Sequence, residues 1–176
     1  MKIISKTLVV LCVLFCFAGL AQAAPEMEGQ NIVETVLAVN AEGPYAGSFD
    51  TLIAALLVAK PSVVKKLTKT GKNGVTVFGP TDDAFEDLEL DPTNIGSLDQ
   101  KTLTDILLYH ITKGTLLAAD VVALDEIKML KGGFLLQDNA TLTDNLDRDA
   151  NIIVTDVEAS NGVIHVIDAV VLPFEP

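Results

Sequence analysis

The sequence predicts an α+β fold in a single domain. Up to Gly114, apolar residues recur mainly at helical spacing, whereas beyond Ala118 short β-rich runs alternate with turn residues. Helices that precede a strand-rich part favour an α+β arrangement over a repeating βαβ fold. The sequence shows no second domain, low-complexity linker or internal repeat.

The N-terminus has the pattern of a secretory signal. Lys2 and Lys6 form a basic region, Thr7 to Leu20 form an apolar run, and Ala21-Gln22-Ala23 is a small-x-small cleavage site. We therefore expect residues 1–23 to be a signal peptide, 24–30 a short flexible lead-in and 31–174 the domain. An uncleaved membrane anchor is the alternative, but the run is shorter than the ~20 residues a span needs. After signal removal we expect no membrane insertion.

Cysteine and charge limit the possible functions of the mature chain. Cys12 and Cys16 both lie in the signal, so disulfides and thiol catalysis are excluded and the apolar core must stabilise the domain. Losing two lysines with the signal moves the net charge from −12 to −14. Such a surface repels nucleic acid and suits solubility or a cationic partner. We expect a secreted, extracellular protein, periplasmic if the source is a Gram-negative bacterium.

Three helices are predicted before the first strand, and Glu42 to Gly47 is predicted to be a loop between the first two. Pro61 suits the first turn of the third helix, and Gly71 to Gly74 should end it. The predicted buried face of the first helix is Val33, Val36, Leu37 and Asn40. That of the second is Phe49, Leu52, Ile53, Leu56 and Leu57, and that of the third is Val63, Val64 and Leu67.

Val75 to Phe78 is predicted to be a short strand that Gly79-Pro80 breaks. Thr81 is the expected N-cap of the following helix, which has Asp82 and Asp83 in its first turn. Ser97-Leu98-Asp99-Gln100 is interpreted as a capping box that opens a further helix, and Gly114 as the residue that ends it. The predicted buried stripe of that helix is Leu103, Ile106, Leu107 and His110.

The rest of the chain is predicted to form strands. They cover Ile127–Leu130, Phe134–Gln137, Thr141–Thr143, Asn151–Val157 and Val163–Leu172. In the last one, apolar residues occupy both parities: Val163, Ile167 and Val171 on one side and Ile164, Val166, Val170 and Leu172 on the other. A strand that is apolar on both faces should be covered on both, so we expect a central core strand, interrupted only by His165 and Asp168.

Three motifs resemble the signatures of fasciclin (FAS1) domains. Thr76 to Phe85 is similar to the first signature, Leu107-Leu108-Tyr109-His110 to the central tyrosine–histidine motif, and Asn161 to Asp168 to the second signature. They come in the family's order and spacing, and Gly79 stands where alanine is commoner. The signature residues, which we expect to be mainly structural, are Thr76, Val77, Phe78, Pro80, Thr81, Phe85, Asn161, Gly162, His165 and Asp168.

The resemblance implies a wedge of N-terminal helices packed on a twisted, mostly antiparallel β-sandwich. It also implies an extracellular, non-enzymatic module of cell adhesion or matrix and surface association, with a protein or polysaccharide partner and no cofactor. Tyr109 and His110 are the possible interaction residues, because sequences around this motif are implicated in integrin recognition in animal relatives. As a short single domain, the chain looks more like bacterial secreted members.

The residues also bear on other functions. A carrier of a small apolar ligand is the main alternative, since a sandwich can enclose a cavity. The sequence lacks a Gly-x-Ser-x-Gly elbow, and His110 and His165 are its only histidines, which disfavours a hydrolase and a zinc site. The tripeptide Asn139-Ala140-Thr141 is a glycosylation sequon if the source is eukaryotic.

A calcium loop is the other metal site that the sequence suggests. Its template residues would be Asp147, Asp149, Asn151 and Glu158. However, Ile152 stands where the template requires glycine, and the segment is predicted to be a strand, so we expect no metal here.

Overall fold

The computed structural model describes residues 29–69 and 73–174. The predicted signal and nearly all of the predicted lead-in lie outside them. Within these ranges the α-helices are α1 (Ile32–Ala41), α2 (Asp50–Val58), α3 (Pro61–Thr68), α4 (Asp82–Glu86), α5 (Gln100–Tyr109) and α6 (Ala118–Val122). The strands are β1 (Val75–Pro80), β2 (Ile111–Lys113), β3 (Glu126–Lys128), β4 (Phe134–Asp138), β5 (Thr141–Thr143), β6 (Asp149–Ala159) and β7 (Gly162–Ile167).

The strands form one twisted sheet that nearly closes on itself. In the described part of the chain its order is β2-β1-β7-β6-β5-β4-β3, and only β1 and β7 pair in parallel. The two ends meet, because Thr112 bridges Met129 and the Leu130 amide donates to the Ile111 carbonyl at 2.7 Å. The 11-residue β6 belongs to both halves and changes register near Val154. The predicted α+β class is confirmed.

Two apolar cores lie on either side of β1 and β7. A helix-side core joins α1 to α5 to the outer face of these strands, and it includes Ile164 and Val166. An interior core between the two halves of the sheet includes Phe78, Leu135 and Ile167.

All six residues of β7 are buried, so the prediction of a central strand covered on both faces is confirmed. The prediction that the strand continues to Leu172 is wrong, because β7 ends at Ile167. Beyond it Val171 still joins the interior core, and Val170 and Leu172 join the helix-side core.

Both predicted ends of α5 are wrong. Asp99 is the N-cap, and its carboxylate accepts from the amides of Lys101 and Thr102 at 3.0 and 3.1 Å. Ser97 instead closes a short 3₁₀ turn, Ile95–Ser97. At the other end α5 stops at Tyr109, well before Gly114, because the next residues leave the helix to pair with β1 as β2.

Other local predictions are also corrected. Thr81 occupies the N-cap position of α4 but its hydroxyl makes no capping bond there. The Asp82 carboxylate instead caps α2, accepting from the amides of Asp50 and Thr51 at 3.1 and 2.8 Å. Leu37 and Leu57, which were expected on buried faces, are 47% and 81% exposed.

Candidate functional site

Tyr109 ends α5 and lies wholly inside the protein. Its ring is 0% exposed, and its hydroxyl donates to the Phe134 carbonyl of β4 at 2.6 Å. Burial, with the nearby Asp144 carboxylate, raises the pKa of Tyr109 to about 12. The phenol is therefore a permanent neutral donor that ties the end of α5 to the start of β4.

His110, the next residue, is 3% exposed and joins α5 to the segment after β7. Its Nε2 accepts from the Val171 amide at 3.2 Å, so the ring proton sits on Nδ1, which donates to the Ile106 carbonyl at 2.9 Å. Burial lowers the pKa of His110 to about 4. Neither ring of the motif has an edge in solvent, so in this conformation the two side chains cannot touch a partner directly.

An ion pair between partly exposed Arg148 and fully buried Asp144 lies beside this motif and is not predicted from the sequence. Arg148 donates to Asp144 through Nη2 at 2.6 Å and Nε at 3.1 Å, and its Nη2 also reaches the Val170 carbonyl at 3.0 Å. The side chain of Asp144 is 0% exposed and also accepts from the Leu172 amide at 2.9 Å.

Burial alone would raise the pKa of Asp144, but the hydrogen bonds from Leu172 and Arg148 outweigh it and hold the pKa below its usual value. The pair thus clamps the segment that follows β7. The signal for this ion pair in the sequence is the spacing of four residues between Asp144 and Arg148.

Asn161 of the second signature connects three elements. Its Oδ1 accepts from the Ile32 amide at 2.9 Å, at the start of α1. Its Nδ2 donates to the carbonyls of Leu67 and Lys69 at 2.6 and 3.3 Å, at the end of α3. Gly162 then lies so close to β1 that an added Cβ would stand 1.9 Å from the Val75 carbonyl oxygen.

His165 and Thr76 hold the loop after β2. The Nδ1 of His165 accepts from the Asp156 amide at 3.3 Å, and its Nε2 donates to the Leu116 carbonyl at 2.8 Å. Thr76 donates to the Gly114 carbonyl at 2.7 Å and accepts from the Leu116 amide at 2.8 Å. Both side chains therefore satisfy partly buried backbone groups.

The other signature residues also contact their own fold. Phe78 stacks on His165 with ring centroids 5.7 Å apart, and Val77 and Phe85 belong to the helix-side core. Pro80 ends β1 opposite Ile167. Asp168 accepts from the backbone and side-chain nitrogens of Asn151 at 2.6 and 2.9 Å. The Thr81 amide donates to the Ile167 carbonyl at 3.3 Å.

The residues of the calcium template do not surround a common point. Asp147 lies in a turn, whereas Asp149, Asn151 and Glu158 are spread along β6, which confirms the predicted strand. Within residues 29–69 and 73–174, no group of three or more His, Cys, Asp or Glu side chains could hold a metal ion.

The tyrosine hydroxyl fixes a strand that presents apolar side chains to solvent. Phe134 and Leu136 of β4 are 44% and 49% exposed, whereas Leu135 between them is fully buried in the interior core. Lys128 lies opposite Phe134, and Glu126 lies opposite Leu136. We call Phe134 and Leu136 the β4 face. The sequence predicts that both residues lie in this strand, but it does not predict which side of the strand is buried.

Asn139, the predicted glycosylation residue, is exposed in the tight turn between β4 and β5. Its φ is 49° and that of Ala140 is 67°, which is typical of a two-residue hairpin turn. The predicted turn is therefore confirmed.

The family model of the fasciclin domain matches residues 47–173. The chain belongs to the fasciclin domain family. All three motifs lie inside the match, and α1 precedes it.

Relatives support the assignment. The uncharacterized protein sll1735 of Synechocystis is 37% identical over 145 residues, 81% of this chain and 97% of that protein. The pig transforming growth factor-beta-induced protein ig-h3 is 36% identical over 129 residues, which cover 71% of this chain but 18% of that protein.

The fold recurs in the FAS1 domain pair of fasciclin I, an insect cell adhesion molecule. The TM-score is 0.64 at 18% identity, covering 82% of this chain and 51% of that one. Among the described residues, this fasciclin-family protein has no helix of the length and apolar character that membrane spanning requires.

Proposed function

We propose that this protein is a non-enzymatic, extracellular interaction module that serves cell adhesion or matrix and surface association through one FAS1 domain at 31–174. The family assignment and the adhesion role of fasciclin I, which shares the fold, support the proposal. The signal-like N-terminus supports secretion. The partner is a protein or a polysaccharide.

The β4 face is the observation that carries this proposal. An aromatic ring and a leucine stand two residues apart on one side of a strand, each nearly half exposed. Covering both would contribute on the order of 1–2 kcal/mol each to binding, since burial of apolar surface is favourable by ~25 cal/mol per Å². Aromatic side chains are also enriched among residues that dominate binding energy.

The tyrosine–histidine motif contributes to this surface from behind it. Tyr109 holds the backbone of Phe134 through its 2.6 Å hydrogen bond, and His110 holds the segment after β7. We therefore assign both residues a positioning role without direct contact with the partner: Tyr109 sets the orientation of β4, and His110 holds the segment after β7.

The overall charge narrows the chemistry of the partner. The whole chain carries −12 and, without the two lysines of the predicted signal, −14. Long-range repulsion disfavours anionic partners such as nucleic acid. A basic protein surface or a weakly charged polysaccharide fits better.

The test is a binding panel with cells, matrix proteins and matrix polysaccharides. The variants are Phe134→Ser with Leu136→Thr, and, as the matched control, Leu57→Ser, which removes a more exposed leucine from α2. We expect saturable binding of the wild-type protein to one class, at least about tenfold weaker binding for the β4 variant, and no change for the control. Saturable binding to no class would refute the proposed function; equal loss in both variants would refute the role of the β4 face.

A further inference from the structure

We infer that the helix side of the protein contains a binding pocket for the apolar part of a small organic cation. The pocket is a cavity of about 110 Å³ between the end of α4, the 3₁₀ turn, α5 and the segment after β7. Phe85, Ile106 and Leu172, all nearly fully buried, are among the residues that form its floor and walls. It lies in the helix-side core, outside the interior of the sheet, and is separate from the β4 face.

The lining determines which part of a ligand can enter. All nine lining residues are apolar, so the cavity offers a ligand no hydrogen-bond partner from its side chains. A polar group buried here would lose its hydration without compensation. Apolar cavities of similar size, roughly 150 Å³, stay dry and take up benzene. One ring or a short branched alkyl group therefore matches this volume.

The mouth determines what the rest of the ligand can be. Half-buried Leu88, Leu90 and Leu98 line the outer side of the cavity, so a group seated inside can emerge between them. Exposed acidic residues adjoin them in the sequence: Asp87 and Glu89 flank Leu88, and Asp99 follows Leu98.

The nearest cation in the sequence, Lys101, pairs with Asp105 at 3.0 Å. Acidic side chains that adjoin the residues of an apolar opening in the sequence favour a cationic group there and disfavour an anionic one. The class of ligand is thus an aryl- or alkylammonium compound with its ammonium group at the rim.

Three probes that share a ring and differ in charge test the pocket: benzylammonium, benzyl alcohol and phenylacetate. Each is titrated into the purified protein while the methyl resonances of Ile95, Ile106 and Val170 are followed by NMR. We expect saturable shifts for benzylammonium, weaker binding of benzyl alcohol and the weakest binding of phenylacetate. High salt should reduce the difference between the charged probes.

Substitutions locate the binding site and separate the contribution of the cavity from that of the acidic residues at its rim. Leu98→Phe narrows the mouth and Leu103→Phe fills the cavity, and either should weaken all probes by on the order of tenfold. Leu57→Phe, which adds the same ring to an exposed leucine outside the pocket, should change nothing. The double variant Asp87→Asn with Glu89→Gln should weaken benzylammonium about threefold and leave benzyl alcohol unchanged.

Three results would overturn the inference. Absence of methyl shifts with every probe, or shifts that both pocket variants leave intact, would remove the pocket as a site. Equal binding of benzylammonium and phenylacetate would refute the cationic class of ligand. The β4 variant should bind all probes normally, so the pocket and the proposed adhesion surface can fail separately.

Discussion

At the scale of single residues, two buried histidines hold two loops, and the ring nitrogen that accepts a hydrogen bond differs between them. His110 accepts at Nε2 and donates from Nδ1, whereas His165 accepts at Nδ1 and donates from Nε2. Each ring satisfies one backbone amide and one carbonyl; the hydrogen bonds of His110 are buried, where an unpaired backbone group would be costly. A protonated ring could only donate, so protonation would turn an accepted hydrogen bond into a repulsive contact.

This chemistry predicts a pH-dependent stability that originates at His110. Its pKa is lowered from 6.5 to about 4 in the folded protein, so the unfolded chain takes up the proton first as pH falls. The free energy of unfolding should have its full His110 contribution above pH 6.5 and lose it progressively down to about pH 4. The loss should reach about 3 kcal/mol.

Urea unfolding at a series of pH values measures this effect. His110→Gln, which cannot titrate, should be less stable at neutral pH but should have a flatter profile between those limits. If both proteins show the same slope, His110 does not cause it.

At the scale of elements, the parallel contact between β1 and β7 places the two signatures side by side. Val75 pairs with Gly162 and Pro80 with Ile167, so the first signature lies along the second over the full length of β1. At Gly162 the two strands approach so closely that no side chain fits. At Gly79, by contrast, an added Cβ would lie 3.5 Å from Ile164 and 3.7 Å from Leu52, which is ordinary contact.

These two glycines form a matched pair of alanine substitutions. Gly162→Ala should destabilise the protein by at least about 3 kcal/mol, because β1 and β7 must separate to admit the methyl group. Gly79→Ala should be neutral or stabilise it by up to about 1 kcal/mol, because it lowers the entropy of the unfolded chain at no steric cost. Thermal and urea unfolding measure both, and similar losses in the two variants would contradict the packing described for β1 and β7.

At the scale of the whole molecule, closure of the sheet replaces covalent cross-links. Both cysteines lie in the predicted signal, so the domain depends on packing and hydrogen bonds. The ends of the sheet are held by the Leu130 amide on the Ile111 carbonyl and by the Thr112 hydroxyl on the Lys128 carbonyl, each at 2.7 Å. Closing the sheet also protects edges that could otherwise pair with other chains.

Thr112→Val should loosen this closure while keeping the shape of the side chain. We expect a loss of about 1–2 kcal/mol, because the Lys128 carbonyl loses its donor. Faster hydrogen exchange should appear first at the Leu130 amide. Thr115→Val, at an exposed threonine two residues after β2, is the control and should leave exchange at Leu130 unchanged.

Much of this fold could be predicted because its signals are local. The alternating parities correctly separated two sets of side chains: Ile164, Val166, Val170 and Leu172 lie in the helix-side core, and Ile167 and Val171 lie in the interior core. Predictions at element ends were weaker: Asp99 displaced Ser97 as a cap, and β2 began where a helix was expected to continue. Helix capping and strand pairing depend on contacts with residues outside a short stretch of sequence, so local patterns do not predict them well.

The sequence by itself determined the α+β class, the central strand and the family, because periodicity and short motifs lie within a few residues of one another. Only the tertiary structure decided the roles of the signature residues, since their partners are remote. Asn161 bonds the Ile32 amide across 129 positions, and His110 bonds the Val171 amide across 61. The same holds for the β4 face and the helix-side pocket, because which apolar residues remain uncovered depends on how the whole chain packs.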